Sequence, residues 1–288
     1  MTQRNVLVCG AGLMGHGIAQ SMAAAGHRVA LYEPNAARAE AGRTRIASSL
    51  DRAVNKGKLT DDQRAATLER VSVAQSLAEA AQTAELVVEA VFEDESVKSA
   101  LFADVVAAAP ESAILASNTS SISITRLAAA LPAARRASFV GMHFFSPVPV
   151  MPLIELIRGE DTSDETEAYV RQIAQELGKS VIVSRDKPGF IVNRILMPFL
   201  AESMRAYEQG LATKEDIDTG AKIGLNHPMG PLELADFIGL DVCLHIMEVL
   251  HEGFQEDFFA PPQVLRDLVA AGNLGQKTGR GFYSYPRS

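Results

Sequence analysis

The chain has 288 residues, 47% of them hydrophobic, enough apolar material for one or two domains of ordinary size. A formal net charge of −8 excludes a dominant basic face, and with it nucleic-acid binding driven by phosphate attraction. Cys9 and Cys243 sit in apolar runs with no metal-ligand spacing, so neither a disulfide framework nor a metal centre is expected, and free thiols suit a reducing compartment.

In chain order, NVLVCG (Asn5–Gly10) is a short apolar run that ends in glycine. It follows the first residue so closely that no leader is expected, and no apolar run approaches the ~20 residues needed to span a bilayer. A cytoplasmic protein without membrane association is the expectation. A helical pattern from Met14 to Ala25 and a β-rich run, HRVALYE (His27–Glu33), complete a strand–helix–strand unit. Helical patterns at 35–57 and after Thr60 follow, and strand-like runs recur at 70–73, 86–89, 113–117 and 139–142, with a helix between two of them at 96–109. PLIELI (Pro152–Ile157) and SVIVS (Ser180–Ser184) add strands around a helix at 164–177. This alternation predicts a mostly parallel sheet covered on both faces. After the punctuated DKPGFIVN (Asp186–Asn193) only helical patterns remain, at 191–209, 214–223, 231–238, 240–251 and 262–271. An α/β domain over 1–185 and an all-α domain over 186–288 are therefore predicted.

The first turn reads GAGLMG, with Gly10, Gly12 and Gly15 at dinucleotide-binding spacing and Leu13 and Met14 opening the helix. Gly10 suits a tight turn, Gly12 a close approach of pyrophosphate to backbone, and Gly15 close helix–strand packing. The helix N-terminus offers unpaired N–H groups to the anion. Glu33 ends the second strand, where a carboxylate accepts hydrogen bonds from ribose hydroxyls and repels a 2′-phosphate, so NAD is favoured over NADP. VVEAVFED, carrying Glu89, Ala90 and Glu93, and SNTSS, carrying Asn118 and Ser120, each follow a predicted strand and can face the cofactor, since ligands in open α/β sheets lie at the carboxyl ends of strands. Acidic groups opening a helix and ordinary loop chemistry are the alternatives for these two runs.

GMHFFSPVPVMPLIE (Gly141–Glu155) holds one histidine and one carboxylate in apolar surroundings. His143 follows a predicted strand, and Glu155 lies in the next. Pro147, Pro149 and Pro152 are expected to impose an extended path that returns the second segment beside the first. An imidazole oriented by a carboxylate is a general base, and oxidising an alcohol with a nicotinamide needs one. A purely structural pair is the alternative. His16 lies within the dinucleotide turn and His27 precedes a strand, so neither suits the role.

SNTSSISIT, GMHFFSPVPVMPLIEL, DKPGFIVNRI, LNHPMGPLELADFIGLD and GQKTGRGFYSY, in this order from Val6 to Tyr285, resemble the L-3-hydroxyacyl-CoA dehydrogenase family, in particular its short bacterial 3-hydroxybutyryl-CoA branch. The resemblance implies a Rossmann-type domain joined to an α-helical C-terminal domain through which the protein dimerises, and reversible oxidation of a (3S)-hydroxyacyl-CoA with NAD. It puts the family's base on His143, its supporting carboxylate on Glu155, a serine touching the C3 oxygen on Ser120, and a substrate-fixing asparagine on Asn193, with the site between the domains. It also implies that basic residues of DRAVNKGKL, Arg52 and Lys56 above all, grip the phosphates of CoA, where the other reading is a solvated helix end. Lys98 would face the cofactor. Ser146 stands where many relatives have asparagine, and Pro152 where the short branch commonly has lysine. NHPMGP (Asn226–Pro231) suggests helix packing or dimer contacts, and KTGRGFYSY a docking tail. Three other readings stay open: a 3-hydroxyadipyl-CoA dehydrogenase, with Arg194 among the arginines that could meet a second carboxylate; a dehydrogenase of a non-CoA hydroxy acid; and a non-enzymatic NAD-binding protein.

Overall fold

A computed structural model gives the structure of residues 2–286. The chain divides between Lys187 and Pro188 into two compact units. The first opens with β1 (Asn5–Cys9), α1 (Leu13–Ala24), β2 (Arg28–Tyr32), α2 (Ala36–Asn55), α3 (Asp61–Glu69), β3 (Val71–Ala74), α4 (Leu77–Ala81) and β4 (Leu86–Glu89). It continues through α5 (Glu95–Ala108), β5 (Ile114–Ser117), α6 (Ile124–Ala129), α7 (Ala133–Arg136), β6 (Phe139–Phe144), β7 (Leu153–Arg158), α8 (Asp164–Glu176) and β8 (Ser180–Arg185). The eight strands form one sheet in the order β3-β2-β1-β4-β5-β6-β7-β8. Every pairing is parallel except that of β6 with β7. Every residue of β4 and of β6 is buried, because helices cover both faces and leave no strand side for polar residues. Strand order reverses direction between β1 and β4, the switch point at which such sheets open a crevice at their carboxyl edge.

Two expectations change here. β6 runs on to Phe144, so His143 lies inside the strand rather than after it. The proline segment is a turn, not an extended path: the N–H groups of Val150 and Met151 both donate to the Pro147 carbonyl, at 2.9 and 3.0 Å. Prolines with fixed φ serve a reversal as readily as an extended run. The short helices α4, α6 and α7 were not anticipated, since one or two turns carry too little periodicity to stand out.

The second unit is helical: α9 (Val192–Glu208), α10 (Lys214–Thr219), a π-helical turn over Gly220–Gly224, α11 (Pro231–Ile238), α12 (Leu240–Phe254) and α13 (Gln263–Ala270). Its core includes Met197, Leu200, Leu232, Cys243, Met247 and Leu250. The glycine-rich tail docks as its composition suggests. The buried Asp236 carboxylate accepts the N–H groups of Phe282 and Tyr283, each at 2.9 Å, and the Tyr285 hydroxyl at 3.0 Å. A Cβ on Gly281 would lie 1.9 Å from Asp236 Oδ1, so only glycine passes that carboxylate.

Candidate active site

The glycine turn after β1 has the shape a dinucleotide requires. Gly10 takes φ of 102°, and a Cβ there would come within 2.4 Å of the Ala90 carbonyl oxygen. At Gly15 a Cβ would lie 1.8 Å from the Gly10 carbonyl oxygen, so this glycine lets α1 sit against the turn. Gly12 differs: no atom lies within 4 Å of where its Cβ would be. Nothing in the chain's own packing demands a glycine at that position, whereas a backbone presented to a pyrophosphate does. Gly12 is also the N-cap of α1, with no side-chain cap and no acidic residue in the first turn, so the helix N–H groups and dipole end are left for an anion. Leu13 is exposed beside them, and Met14 packs against the core. Glu33 follows β2 and turns its carboxylate back to the same turn, accepting the Ala11 N–H at 3.3 Å. These residues fit NAD.

Across the switch point the strand ends carry a linked polar network. Glu89, the last residue of β4, is fully buried and accepts from Lys98 Nζ at 2.6 Å, Ser117 Oγ at 2.6 Å and the Val91 N–H at 2.7 Å. Burial pushes its carboxyl above the usual range, against the pull of Lys98 and these hydrogen bonds. Lys98 is itself 1% exposed, its ammonium shared between Glu89 and Glu93, the latter at 3.1 Å. Glu93 Oε1 gathers the next loop: it accepts from Thr119 Oγ1 at 2.5 Å, the Ser120 N–H at 2.9 Å, and the Ser121 N–H and hydroxyl at 3.1 and 2.9 Å. Burial works to raise Glu93, but Lys98 and these donors outweigh it and hold the carboxyl below its usual range. Asn118 Oδ1 accepts the Phe144 N–H at 2.9 Å, tying the same loop to the end of β6.

The helix-opening role expected as the alternative for the two glutamates falls instead to Asp94, the N-cap of α5, and Glu95 in its first turn. Ser117 and Thr119, read from sequence only as members of a polar loop, are the partners of Glu89 and Glu93. Ser117 ends β5 opposite Glu89 at the end of β4, and Thr119 and Glu93 lie in the loops that follow those strands, so the contacts become visible only once β4 and β5 are known to pair.

His143 and Glu155 are register partners across the antiparallel β6–β7 pair. Side chains directly opposite in such a pair share a face with Cβ atoms about 4.5–5.5 Å apart. Here His143 Nδ1 meets Glu155 Oε2 at 2.7 Å, with the histidine 7% exposed and the glutamate fully buried. The Phe145 ring stacks obliquely on the imidazole at 4.6 Å between centroids. In the tautomer that carries its proton on Nδ1, that nitrogen donates to the carboxylate and the ring's lone pair is on Nε2.

Arg52 lies in the last turn of α2 and Lys56 is its C-cap. Both are exposed, and neither forms an ion pair among the described residues. In the helical unit Asn193 sits in the first turn of α9 and is buried. Arg194, next to it, is held between two rings, 3.7 Å from the Phe254 centroid and 4.1 Å from that of Phe259.

Comparison with known proteins finds one family model for each unit. The family model described as 3-hydroxyacyl-CoA dehydrogenase, NAD binding domain, matches residues 5–187, and that of the 3-hydroxyacyl-CoA dehydrogenase C-terminal domain matches 189–285. The chain belongs to the 3-hydroxyacyl-CoA dehydrogenase family. It is an NAD-dependent oxidoreductase of that family. A probable 3-hydroxybutyryl-CoA dehydrogenase of Deinococcus radiodurans is 48% identical over 96% of this chain and 99% of that protein. The 3-hydroxybutyryl-CoA dehydrogenase of Bradyrhizobium diazoefficiens is 47% identical over 98% of this chain and 95% of its own length. Among solved structures, the (S)-3-hydroxybutyryl-CoA dehydrogenase of Ralstonia eutropha superposes with a TM-score of 0.95 at 46% identity, covering 99% of this chain and 100% of that one.

Proposed function

We propose that this family member interconverts (3S)-3-hydroxybutyryl-CoA and acetoacetyl-CoA, with His143 as the general base. The observation that carries the reading is the 2.7 Å bond between His143 Nδ1 and the fully buried Glu155, near the carboxyl edge of the sheet that also bears the dinucleotide turn. The Nε2 lone pair takes the C3 hydroxyl proton of the substrate. Glu155 holds the ring in the productive tautomer and stabilises the imidazolium that forms. NAD, when bound, accepts the hydride from C3. The turn at Gly10, Gly12 and Gly15 with Leu13 and Met14, then Glu33, Ala90, Glu93, Lys98 and Asn118, make up the cofactor side of this reading. By the motif match, Ser120 donates to the C3 oxygen and Asn193 fixes the substrate. Arg52 and Lys56, exposed cations without carboxylate partners among the described residues, bind the phosphates of CoA. In the reverse direction the imidazolium returns the proton as the ketone is reduced.

The helical unit is the dimer interface in this reading. Among the described residues, eight of the twelve exposed large hydrophobic ones lie in it, including Leu211, Ile223, Leu225 and Phe237, although it holds about a third of the chain.

The test follows NADH oxidation by absorbance with acetoacetyl-CoA, NADPH, free acetoacetate and 3-ketoadipyl-CoA as the compared reactants. Fast turnover of acetoacetyl-CoA with NADH, and little of the free acid, is expected. His143→Gln should lower kcat at least ~100-fold, the usual contribution of a general base. An unaltered kcat in that variant would sink the assignment of the base.

A further inference from the structure

Lys179 was not singled out in the sequence, yet it reaches the segment between the two proton-transfer residues. Its backbone is fixed by the end of α8. Gly178, at φ of 67°, donates its N–H to Gln175, and the Lys179 N–H bonds to the Ala174 carbonyl, the paired closure that ends many helices. From that fixed point the side chain crosses to the β6–β7 turn, where Nζ donates to the Val148 carbonyl and to the Met151 carbonyl, each at 2.7 Å. Next along the chain, the Ser180 N–H donates to the Pro152 carbonyl at 2.7 Å.

The ammonium is half-buried and has no carboxylate partner among the described residues. Burial holds it below the ordinary lysine range. A cation withdrawn from water without an opposite charge is costly, so two carbonyl hydrogen bonds offset only part of that cost. The far side of the same turn is also held. Val148 is 2% exposed, and it packs where a side chain on Gly17 of α1 would otherwise stand, 2.9 Å from its Cβ. The turn is thus clamped between the dinucleotide-binding helix and Lys179.

We infer that Lys179 is a positioning residue: it staples the turn joining β6 to β7, and so steadies the adjoining strand ends on which His143 and Glu155 make their bond. The inference rests on the reading of that pair given above. The four-pair ladder sets the register within the strands, but in the turn beyond it the prolines supply bends and no donors, and among the described residues the turn's own backbone bonds run to the Pro147 carbonyl.

Lys179→Met keeps the aliphatic stem and removes the donors. It should lower kcat for acetoacetyl-CoA reduction about 10-fold, the scale at which sub-ångström misplacement of reacting groups is felt, with KM for both reactants changed less than about two-fold. The decisive comparison is a cycle with Glu155→Gln. If Lys179 acts through the pair, adding Lys179→Met to Glu155→Gln should lower kcat by less than about two-fold more, since residues acting as one unit are not additive. A wild-type kcat in Lys179→Met, or a full 10-fold loss in both backgrounds, would overturn the inference. A Glu155→Gln enzyme with unaltered kcat would instead overturn the reading of the pair, and the inference with it. Should Lys179→Met fail to fold, the same cycle with Lys179→Gln gives the same decision.

Discussion

At Glu93 a single carboxylate oxygen gathers the Thr119 and Ser121 hydroxyls and the Ser120 and Ser121 N–H groups of the loop after β5, while Lys98 holds the other oxygen. Charge-assisted bonds of this kind are the strong ones in a fold. Glu93→Gln keeps an acceptor and loses the charge, so a loss of about 1–2 kcal/mol of stability is expected. The pH dependence has a definite sign. The folded-state value of Glu93 lies below its unfolded one, so its stabilisation is complete above the ordinary carboxylate value, about 4.3, and is lost as pH falls through the depressed folded value. Thermal melts from pH 7 to pH 3 should show a shallower acid limb in Glu93→Gln than in the wild type. Parallel curves would show that the carboxylate charge does not hold the loop.

The three glycines of the first turn separate stability from binding at the level of a single element. At Gly15 a methyl group would meet the Gly10 carbonyl at 1.8 Å, so Gly15→Ala must displace α1 from β1 and should cost about 1–3 kcal/mol or more. At Gly12 a methyl group meets nothing within 4 Å, so Gly12→Ala should melt within a degree or two of wild type while NAD affinity falls about 10-fold or more. Calorimetric melts and NADH titration of the two variants test both halves. A destabilised Gly12→Ala would mean that this position is structural.

The same turn was readable in the sequence because its chemistry is local: strand, glycines and helix are contiguous. The long helices α2, α9 and α12 were readable for the same reason. What stayed hidden was set by pairing between distant strands. The Glu89–Ser117 and Glu93–Thr119 contacts exist only because β4 lies beside β5, and no spacing along the chain announces that order. The partnership of His143 with Glu155 could be proposed from nearness in the chain, but its geometry could not. The reversal at Pro147 and the extension of β6 through His143 depend on cross-strand bonds. Lys179 escaped attention because a lysine after a helix-ending glycine is ordinary until its side chain is traced.

For the whole molecule, the uneven distribution of exposed apolar side chains gives a prediction about assembly. Light scattering should return about twice the chain mass of 30.8 kDa, and Ile223→Asp with Leu225→Asp should shift the population towards the monomer. A monomeric mass for the unaltered protein would leave these residues without the assigned role.

The one antiparallel step in an otherwise parallel sheet has a consequence for how this chemistry is encoded. Parallel neighbours need a crossover helix between them, so the cofactor cradle is assembled from strands scattered along the chain. Antiparallel neighbours need only a turn. His143 and Glu155, 12 residues apart, therefore lie on one uninterrupted hairpin whose ends close at little entropic cost. Both members of the pair are thus encoded in one contiguous stretch, residues 139–158, which its neighbours β5 and β8 and the Lys179 ammonium hold in place from outside.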